Sequence, residues 1–219
     1  MSQVDDYALT ISKILGMIAH ELRAPLARIM ASAEVLQLGG LDPVAADSVE
    51  TIIRNAEQAS KRIGKLVRLA DLKRVPPDRE RFDALDVVAE LARSHGVACS
   101  LKCDVDSVDL WSDETLFSQI VDNMIENAVK YGEPGSLKIS VYRSDGRVFV
   151  DVHNKGTPIH DEDLAKVWTP FFRSRAGSKP GSGLGLAFVK LAASELGGHV
   201  RVTSSVEQGT TFTFAMPEH

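Results

Sequence analysis

Residues 49–80 read VETIIRNAEQASKRIGKLVRLADLKRVPPDRE. Apolar residues recur in this stretch at intervals of three and four: Val49, Ile52, Ala56, Ala59, Ile63, Leu66 and Ala70. That spacing predicts a helix with a coiled-coil-like apolar seam. The consecutive prolines at 76 and 77 cannot continue a helix, so we expect it to end near Arg74. The sequence therefore predicts two domains, residues 1–75 and 76–219.

A second helix is predicted upstream, from Tyr7 to about Leu38. Its apolar residues follow the same spacing: Ile11, Leu15, Ile18, Leu22, Ile29, Ala33 and Leu36. The short break GGLDP at 39–43 makes the two helices an antiparallel hairpin. A lone hairpin leaves much of its apolar stripe in water, whereas two paired hairpins cover it. We therefore expect a homodimer held by a four-helix bundle.

Strands and helices alternate irregularly beyond the prolines, which gives an α+β chain overall. We expect strands wherever apolar and polar residues alternate, and hairpins at SDG and EQG. The expected elements are a helix over Leu85–Ser94, the strand VACSLKCDV, a helix over Asp113–Tyr131, the hairpin LKISVYR and RVFVDVHN, a helix over about Gly183–Leu196, and the hairpin HVRVTSS and TTFTFAMP. This order predicts an α/β sandwich with its helices on one face of the sheet.

Composition narrows the possible partners and location. The formal net charge is -5, with 25% charged and 44% hydrophobic residues, so no broad positive field attracts nucleic acid. No run approaches the ~18 apolar residues of a membrane span, and the first ten residues lack the features of a signal peptide. We expect a cytoplasmic segment without direct membrane contact, in which Cys99 and Cys103 are reduced.

His20 is a candidate phosphoryl acceptor on the first helix. It lies two residues after Ile18, roughly 200° around the helix from the apolar stripe, so it should face solvent. A neutral imidazole has a lone pair that can accept phosphate near pH 7. Glu21 is a plausible base, and Pro25 should bend the helix nearby. Taken alone, a surface histidine without a role is the more common interpretation.

The run MIAHELRAPLARI at 17–29 favours the phosphoryl-acceptor interpretation of His20, because it resembles the H-box of sensor histidine kinases, typically HELRTPL. The resemblance implies that His20 is phosphorylated, that Glu21 assists, and that the phosphoryl group passes to a response-regulator receiver domain. Ala24 stands where the family has Thr or Asn, a side chain thought to position the water that dephosphorylates the regulator. Alanine has no hydrogen-bonding group, so we expect weak phosphatase activity.

A polar helix face predicts a nucleotide site. Asn123, Asn127 and Lys130 share one face, and they offer amide oxygens for Mg²⁺ and an ammonium for phosphate; an exposed polar face without function is the alternative. The run DNMIENAVKY at 122–131 resembles the N-box of the ATPase superfamily that contains histidine kinases and gyrase. The resemblance implies ATP and Mg²⁺ as cofactors, with Asn127 binding the metal, Lys130 the phosphates and Tyr131 next to adenine.

The segment NKGTPI at 154–159 is similar to the family's first glycine box, DxGxGI. Gly156 and Ile159 match it, while Asn154 replaces the Asp that accepts a hydrogen bond from the adenine amino group. An amide oxygen can still accept that bond, without the strengthening effect of a charge. The resemblance therefore implies weaker adenine binding, not its loss.

The remaining boxes follow in order. WTPFF at 168–172 resembles the F-box, and the basic stretch after it contains Arg173, Arg175 and Lys179. In GSGLGL, glycines allow a close approach of phosphate to the start of a helix, and GTTFTFAMP is similar to the terminal GTxFxxxLP element. The ATP-binding residues implied by these boxes are Arg173, Gly181, Gly183, Leu184, Gly185, Leu186 and Thr210.

The resemblance implies a two-component histidine kinase that phosphorylates its own His20 with Mg-ATP, either alone or as the cytoplasmic part of a membrane-bound sensor. Two alternatives remain. One is an ATP-independent phosphotransfer or regulatory module with a degenerate nucleotide site, which Asn154 and Pro158 keep open. The other is an ATPase of the same superfamily that acts as a conformational clamp, which the hairpin with His20 argues against.

Overall fold

The computed structural model describes residues 22–72, 76–96, 100–103, 107–174 and 182–218. The chain divides into two compact units, Met1–Val75 and Pro76–His219. Among the described helices, none combines the length and the apolarity needed to cross a bilayer.

The first unit contains helix α1, described over 22–38, and helix α2, Pro43–Asp71. The Asp42 carboxylate caps α2 by accepting the backbone N–H groups of Val44 and Ala45, each at 3.0 Å. The sequence placed Pro43 in the connection, and this was wrong by one residue. The N–H group at the first position of a helix has no acceptor within the helix, so proline loses no hydrogen bond there. Its ring also fixes φ near the helical value, so proline suits this position.

The helical unit has a buried stripe and an exposed apolar stripe. Ala33, Val49, Ala56 and Ile63 are at most 6% exposed. By contrast, three α1 residues spaced two turns apart stay open to solvent, with exposures of 46%, 46% and 53%: Leu22, Ile29 and Leu36. Burial within one chain therefore covers only part of the apolar surface of α1.

The second unit contains seven strands and four helices among its described residues. They are β1 (Glu80–Asp83), α3 (Ala84–Ser94), β2 (Ser100–Cys103), β3 (Asp109–Ser112), α4 (Glu114–Tyr131), β4 (Lys138–Ser144), β5 (Arg147–Asn154), α5 (Asp161–Leu164), α6 (Gly185–Glu195), β6 (His199–Ser205) and β7 (Gly209–Pro217). The main sheet has the order β2-β4-β5-β7-β6, and β1 pairs with β3 in a separate ribbon. Only the β2–β4 pair in the main sheet is parallel.

Alternation along the central strands builds the core. Val148, Val150 and Val152 of β5 are buried, and α4 packs against β5 and β7 as well as against α3 and α6. The ring of Phe117 on α4 lies 5.3 Å from that of Phe82 and 5.9 Å from that of Phe214. One fully buried ring thus joins the small ribbon to the main sheet. The predicted α/β sandwich is confirmed.

Candidate functional site

Helix α4 presents the two N-box amides. Its N-terminus is fixed by Asp113, whose carboxylate accepts the N–H groups of Leu116 at 2.8 Å and Asp78 at 2.9 Å. Asn123 donates its side-chain nitrogen to the Gln119 carbonyl at 2.7 Å, and Asn127 donates to the Asn123 carbonyl at 2.8 Å. Each amide nitrogen is therefore used on the helix backbone, which turns each amide oxygen away from it. The face therefore offers amide oxygens, a type of ligand that suits Mg²⁺.

The C-terminal end of α4 carries the predicted cation and ring. The ammonium of Lys130 lies 4.9 Å from the centroid of the Tyr131 ring, within the range of a cation–π contact. Both side chains are half-buried. The pair places a positive charge and an aromatic surface side by side at the end of the helix.

The glycine box is held directly against this helix end. Gly156 forms an isolated bridge with Gly132, and a Cβ on Gly156 would lie 2.3 Å from the Tyr131 carbonyl oxygen. Any side chain at position 156 would therefore force the two backbones apart. Asn154, two residues earlier at the end of β5, is 2% exposed, and its amide nitrogen donates to the Lys155 carbonyl over a long 3.4 Å.

A hydroxyl pair joins the glycine box to the last hairpin. Thr210 lies opposite Asn154 in the β5–β7 register and opposite Ser204 in the β6–β7 register. Ser204 Oγ accepts the backbone N–H of Ile159 at 2.9 Å and lies 2.7 Å from Thr210 Oγ1. Sequence reasoning missed Ser204, and no local pattern marks it, because its role depends on a strand register.

The glycine-rich segment brings the start of α6 to α4. Gly183 has φ +69°, and a Cβ there would lie 2.7 Å from the Phe171 carbonyl carbon; Phe171 in turn donates its N–H to the Gly183 carbonyl at 2.9 Å. At Gly185, the first residue of α6, a Cβ would lie 3.0 Å from Asn123 Oδ1. The glycine-rich segment thus passes close to both the F-box and the N-box.

The N-terminus of α6 fits an anion. Leu184 is the N-cap residue and is 2% exposed, and among the described residues no side chain makes an N-cap hydrogen bond to the helix. The Leu184 N–H itself donates to Ser182 Oγ at 3.3 Å. Gly185 and Leu186 open the helix, so their N–H groups have no acceptor within the helix itself. N–H groups without an intrahelical acceptor and the helix dipole both favour phosphate at this position.

The start of the basic stretch is anchored at Ser174. Ser174 donates its hydroxyl hydrogen to Asp163 Oδ2 at 2.7 Å, and Arg173 beside it is exposed. Phe171 in the same segment has φ +64° and is 63% exposed. The predicted residues His20, Glu21 and Gly181 lie outside the described residues.

His153 neighbours Asn154 in sequence but lies on the other face of the sheet, because β5 alternates buried and half-buried positions. Its Nδ1 is 3.0 Å from Thr211 Oγ1. Burial, together with the positive charges of Lys138 and Lys155, lowers the pKa of His153 below its usual value. This position suits a structural role at the edge of the site. Within the described ranges, no cluster of three or more His, Cys, Asp or Glu side chains is arranged to hold a metal ion.

Comparison with known proteins identifies the two units. Residues 10–74 match the His Kinase A (phospho-acceptor) domain, and residues 112–219 match the histidine kinase-, DNA gyrase B-, and HSP90-like ATPase domain. The sensor-like histidine kinase SenX3 of Mycolicibacterium smegmatis is 30% identical over 218 residues, covering 92% of this chain and 56% of SenX3. The chain thus spans about half the length of that relative.

Two solved structures share the fold. Full-length ShkA in complex with AMPPNP has a TM-score of 0.80 at 23% identity, covering 94% of this chain and 45% of ShkA. The histidine kinase ThkA in complex with the response regulator protein TrrA has a TM-score of 0.68 at 21% identity, covering 94% of this chain and 61% of that one. With both domain models matched in order and the N-box, glycine boxes and F-box assembled around α4 and α6, this chain belongs to the histidine kinase family, as a HisKA domain followed by a GHKL-type ATPase domain.

Proposed function

We propose that the chain is the catalytic core of a two-component histidine kinase, which transfers the γ-phosphoryl group of ATP to a ring nitrogen of His20. One observation carries the proposal: the N-terminus of α6 begins beside Asn123, on the helix whose next turn carries Asn127. An anion-binding helix end beside outward-facing amide oxygens suits a magnesium-bound polyphosphate.

The shape of this region supports ATP as the phosphoryl donor. Glycines occupy positions where the backbone is crowded, at Gly156 and Gly183, so the chain follows a path that larger residues would block. Asn154 and Thr210 are nearly fully buried polar residues on one side of α4, a position that suits the recognition of a purine edge. Lys130 and Arg173 supply positive charge for the phosphates.

Magnesium fits the same face. Mg²⁺ usually takes one or two protein oxygens and completes its shell with substrate phosphates and water. Asn127 offers such an oxygen, since its nitrogen is already bonded to the Asn123 carbonyl at 2.8 Å. Bound there, the ion would neutralise phosphate charge, while the chain's own residues position the nucleotide.

The phosphoacceptor and the partner follow from the first unit. His20 lies within the matched phospho-acceptor domain, and we assign the assistance of proton removal to the adjacent Glu21. ThkA forms a complex with the response regulator TrrA, and we assign the same class of partner, a receiver-domain aspartate, to this chain. The proposed location is the cytoplasm.

A homodimer follows from the exposed stripe of α1. Leu22, Ile29 and Leu36 repeat every second turn and remain 46–53% exposed, a pattern that a second hairpin would cover in a four-helix bundle. We expect sedimentation to give twice the 23.8 kDa chain mass. An Ile29→Asp variant should sediment as a monomer, and a monomeric wild type would contradict the dimer.

Labelled Mg-ATP tests the kinase activity. The wild type should incorporate a label that is labile to acid and stable to base, as expected for phosphohistidine, and His20→Ala should incorporate none while retaining its helical circular dichroism. Persistent labelling of His20→Ala would overturn the acceptor assignment. Absence of labelling and of ADP binding in the wild type would favour the ATP-independent phosphotransfer module instead.

A further inference from the structure

Ser204 lies where several of the predicted nucleotide-binding residues meet. This half-buried serine of β6 accepts the Ile159 backbone N–H at 2.9 Å and lies 2.7 Å from the Thr210 hydroxyl. Thr210 is in turn the β7 partner of Asn154. One side chain thus connects the glycine box, through β7, to the end of β5.

Either hydroxyl can donate in the Ser204–Thr210 contact, and cooperativity with the Ile159 bond favours one direction. Ser204 and Thr210 share one hydrogen bond, so one of their two hydroxyl hydrogens serves it. If Ser204 donates, the chain from Ile159 N–H through Ser204 to Thr210 runs in a single direction, and each bond polarises the next. The opposite direction would bring two hydrogens onto Ser204 Oγ and leave its own hydrogen outside both contacts.

The favoured direction leaves the Thr210 hydrogen to be donated elsewhere. Thr210 and Asn154 are only 5% and 2% exposed, and a donor without an acceptor is costly at such depth. With Ser204 as the donor, the Thr210 hydrogen is available for an acceptor at the Asn154 end of the site. A purine ring supplies acceptor nitrogens, and the amide of Asn154 can pair with either a donor or an acceptor on the base.

We propose that Ser204 is a positioning residue of the nucleotide site: it holds the Ile159 backbone and turns the Thr210 hydroxyl hydrogen towards the purine beside Asn154. The proposal rests on the proposed function and adds a residue that sets base recognition. Ser204 itself need not touch the nucleotide.

Ser204→Ala tests this assignment in the full chain. Calorimetry should show the Kd for Mg-ADP raised about tenfold, the effect of one hydrogen bond of typical strength. Inorganic tripolyphosphate, which has no base, should bind the variant within about twofold of the wild type. Ser204→Thr retains the hydroxyl and should restore ADP binding to within about threefold. Thr203→Ala, an exposed neighbour on the other face of β6, is the matched control and should bind ADP like the wild type.

Each other outcome is informative. A wild type that binds no ADP would refute the proposed function instead. If the wild type binds ADP and Ser204→Ala binds it equally well, the positioning role is wrong. Equal weakening of ADP and tripolyphosphate would show a general structural role and would also overturn it. If Ser204→Ala does not fold, Thr210→Val takes its place: it must lose ADP affinity and retain tripolyphosphate affinity, and failure to do so refutes the inference.

Discussion

Gly156→Ala should separate nucleotide binding from folding. The new Cβ would lie 2.3 Å from the Tyr131 carbonyl oxygen and 3.0 Å from Gly132 Cα, both backbone atoms. Neither is the end of a flexible side chain, so the glycine box must move away from α4. Forcing extra volume into a packed site costs about 1–3 kcal/mol, which a domain with about 5–15 kcal/mol of stability survives.

We therefore expect a folded variant with a disrupted adenine pocket. Movement of the Gly132–Gly156 bridge displaces Asn154 relative to Tyr131, and a displacement of this kind should raise the Kd for Mg-ADP at least tenfold. Calorimetry measures that Kd, and thermal denaturation should show a Tm lower by several degrees.

Gly146→Ala is the control for strain alone. Gly146 has a left-handed φ, +69°, and a Cβ there meets no atom within 4 Å. It lies in the β4–β5 turn, at the opposite end of β5 from Asn154. This variant should lose about 1 kcal/mol of stability and retain ADP affinity. Wild-type ADP affinity in Gly156→Ala, or an equal loss in Gly146→Ala, would refute the reasoning.

Three further predictions concern the metal, the phosphatase reaction and pH. Asn127→Ala should reduce label incorporation at a fixed Mg²⁺ concentration about 100-fold, since loss of an outer-sphere partner alone lowers metal affinity or activity about 10–100-fold. Asn127→Asp should retain labelling that depends on Mg²⁺. If label incorporation by Asn127→Ala depends on Mg²⁺ concentration as in the wild type, the ligand assignment is wrong. Ala24→Thr should speed dephosphorylation of a phosphorylated regulator in the presence of ADP, and a wild type that is already fast would show that the hydroxyl is not needed. Because folding lowers the pKa of His153, the unfolded chain protonates this imidazole at a higher pH than the folded chain does, and the free energy of unfolding should fall as pH drops below about 6.5. His153→Gln should make the free energy of unfolding less dependent on pH in this range. If urea denaturation at several pH values gives the same pH dependence for the variant and the wild type, the effect is excluded.

Local patterns predicted the elements that form from neighbouring residues. Helix α4 could be predicted from the sequence because Asp113 supplies its N-cap and its apolar residues repeat with the helical period. The β4–β5 hairpin was readable from Asp145 and Gly146, which adopt positive φ values of 51° and 69°, as a tight hairpin turn requires. The short ribbon of β1 and β3 was missed. Each strand has only four residues, too few to show a clear alternation of apolar and polar side chains, and the two strands are separated in sequence by the whole of α3.

The candidate site shows the same difference between features formed by neighbouring residues and features formed by strand pairing. Each predicted box is one continuous segment whose glycines or amides have a recognisable order, so residues such as Asn127, Gly156 and Gly185 could be named from the sequence. Ser204 could not, because nothing within its own strand distinguishes it from Ser205. Its role arises only when the register of β6 against β7 sets it beside Thr210 and when the glycine box returns Ile159 to the same point. Residues that act through strand pairing therefore lie outside sequence motifs, because their contribution to base recognition depends on the direction of hydrogen bonds between strands.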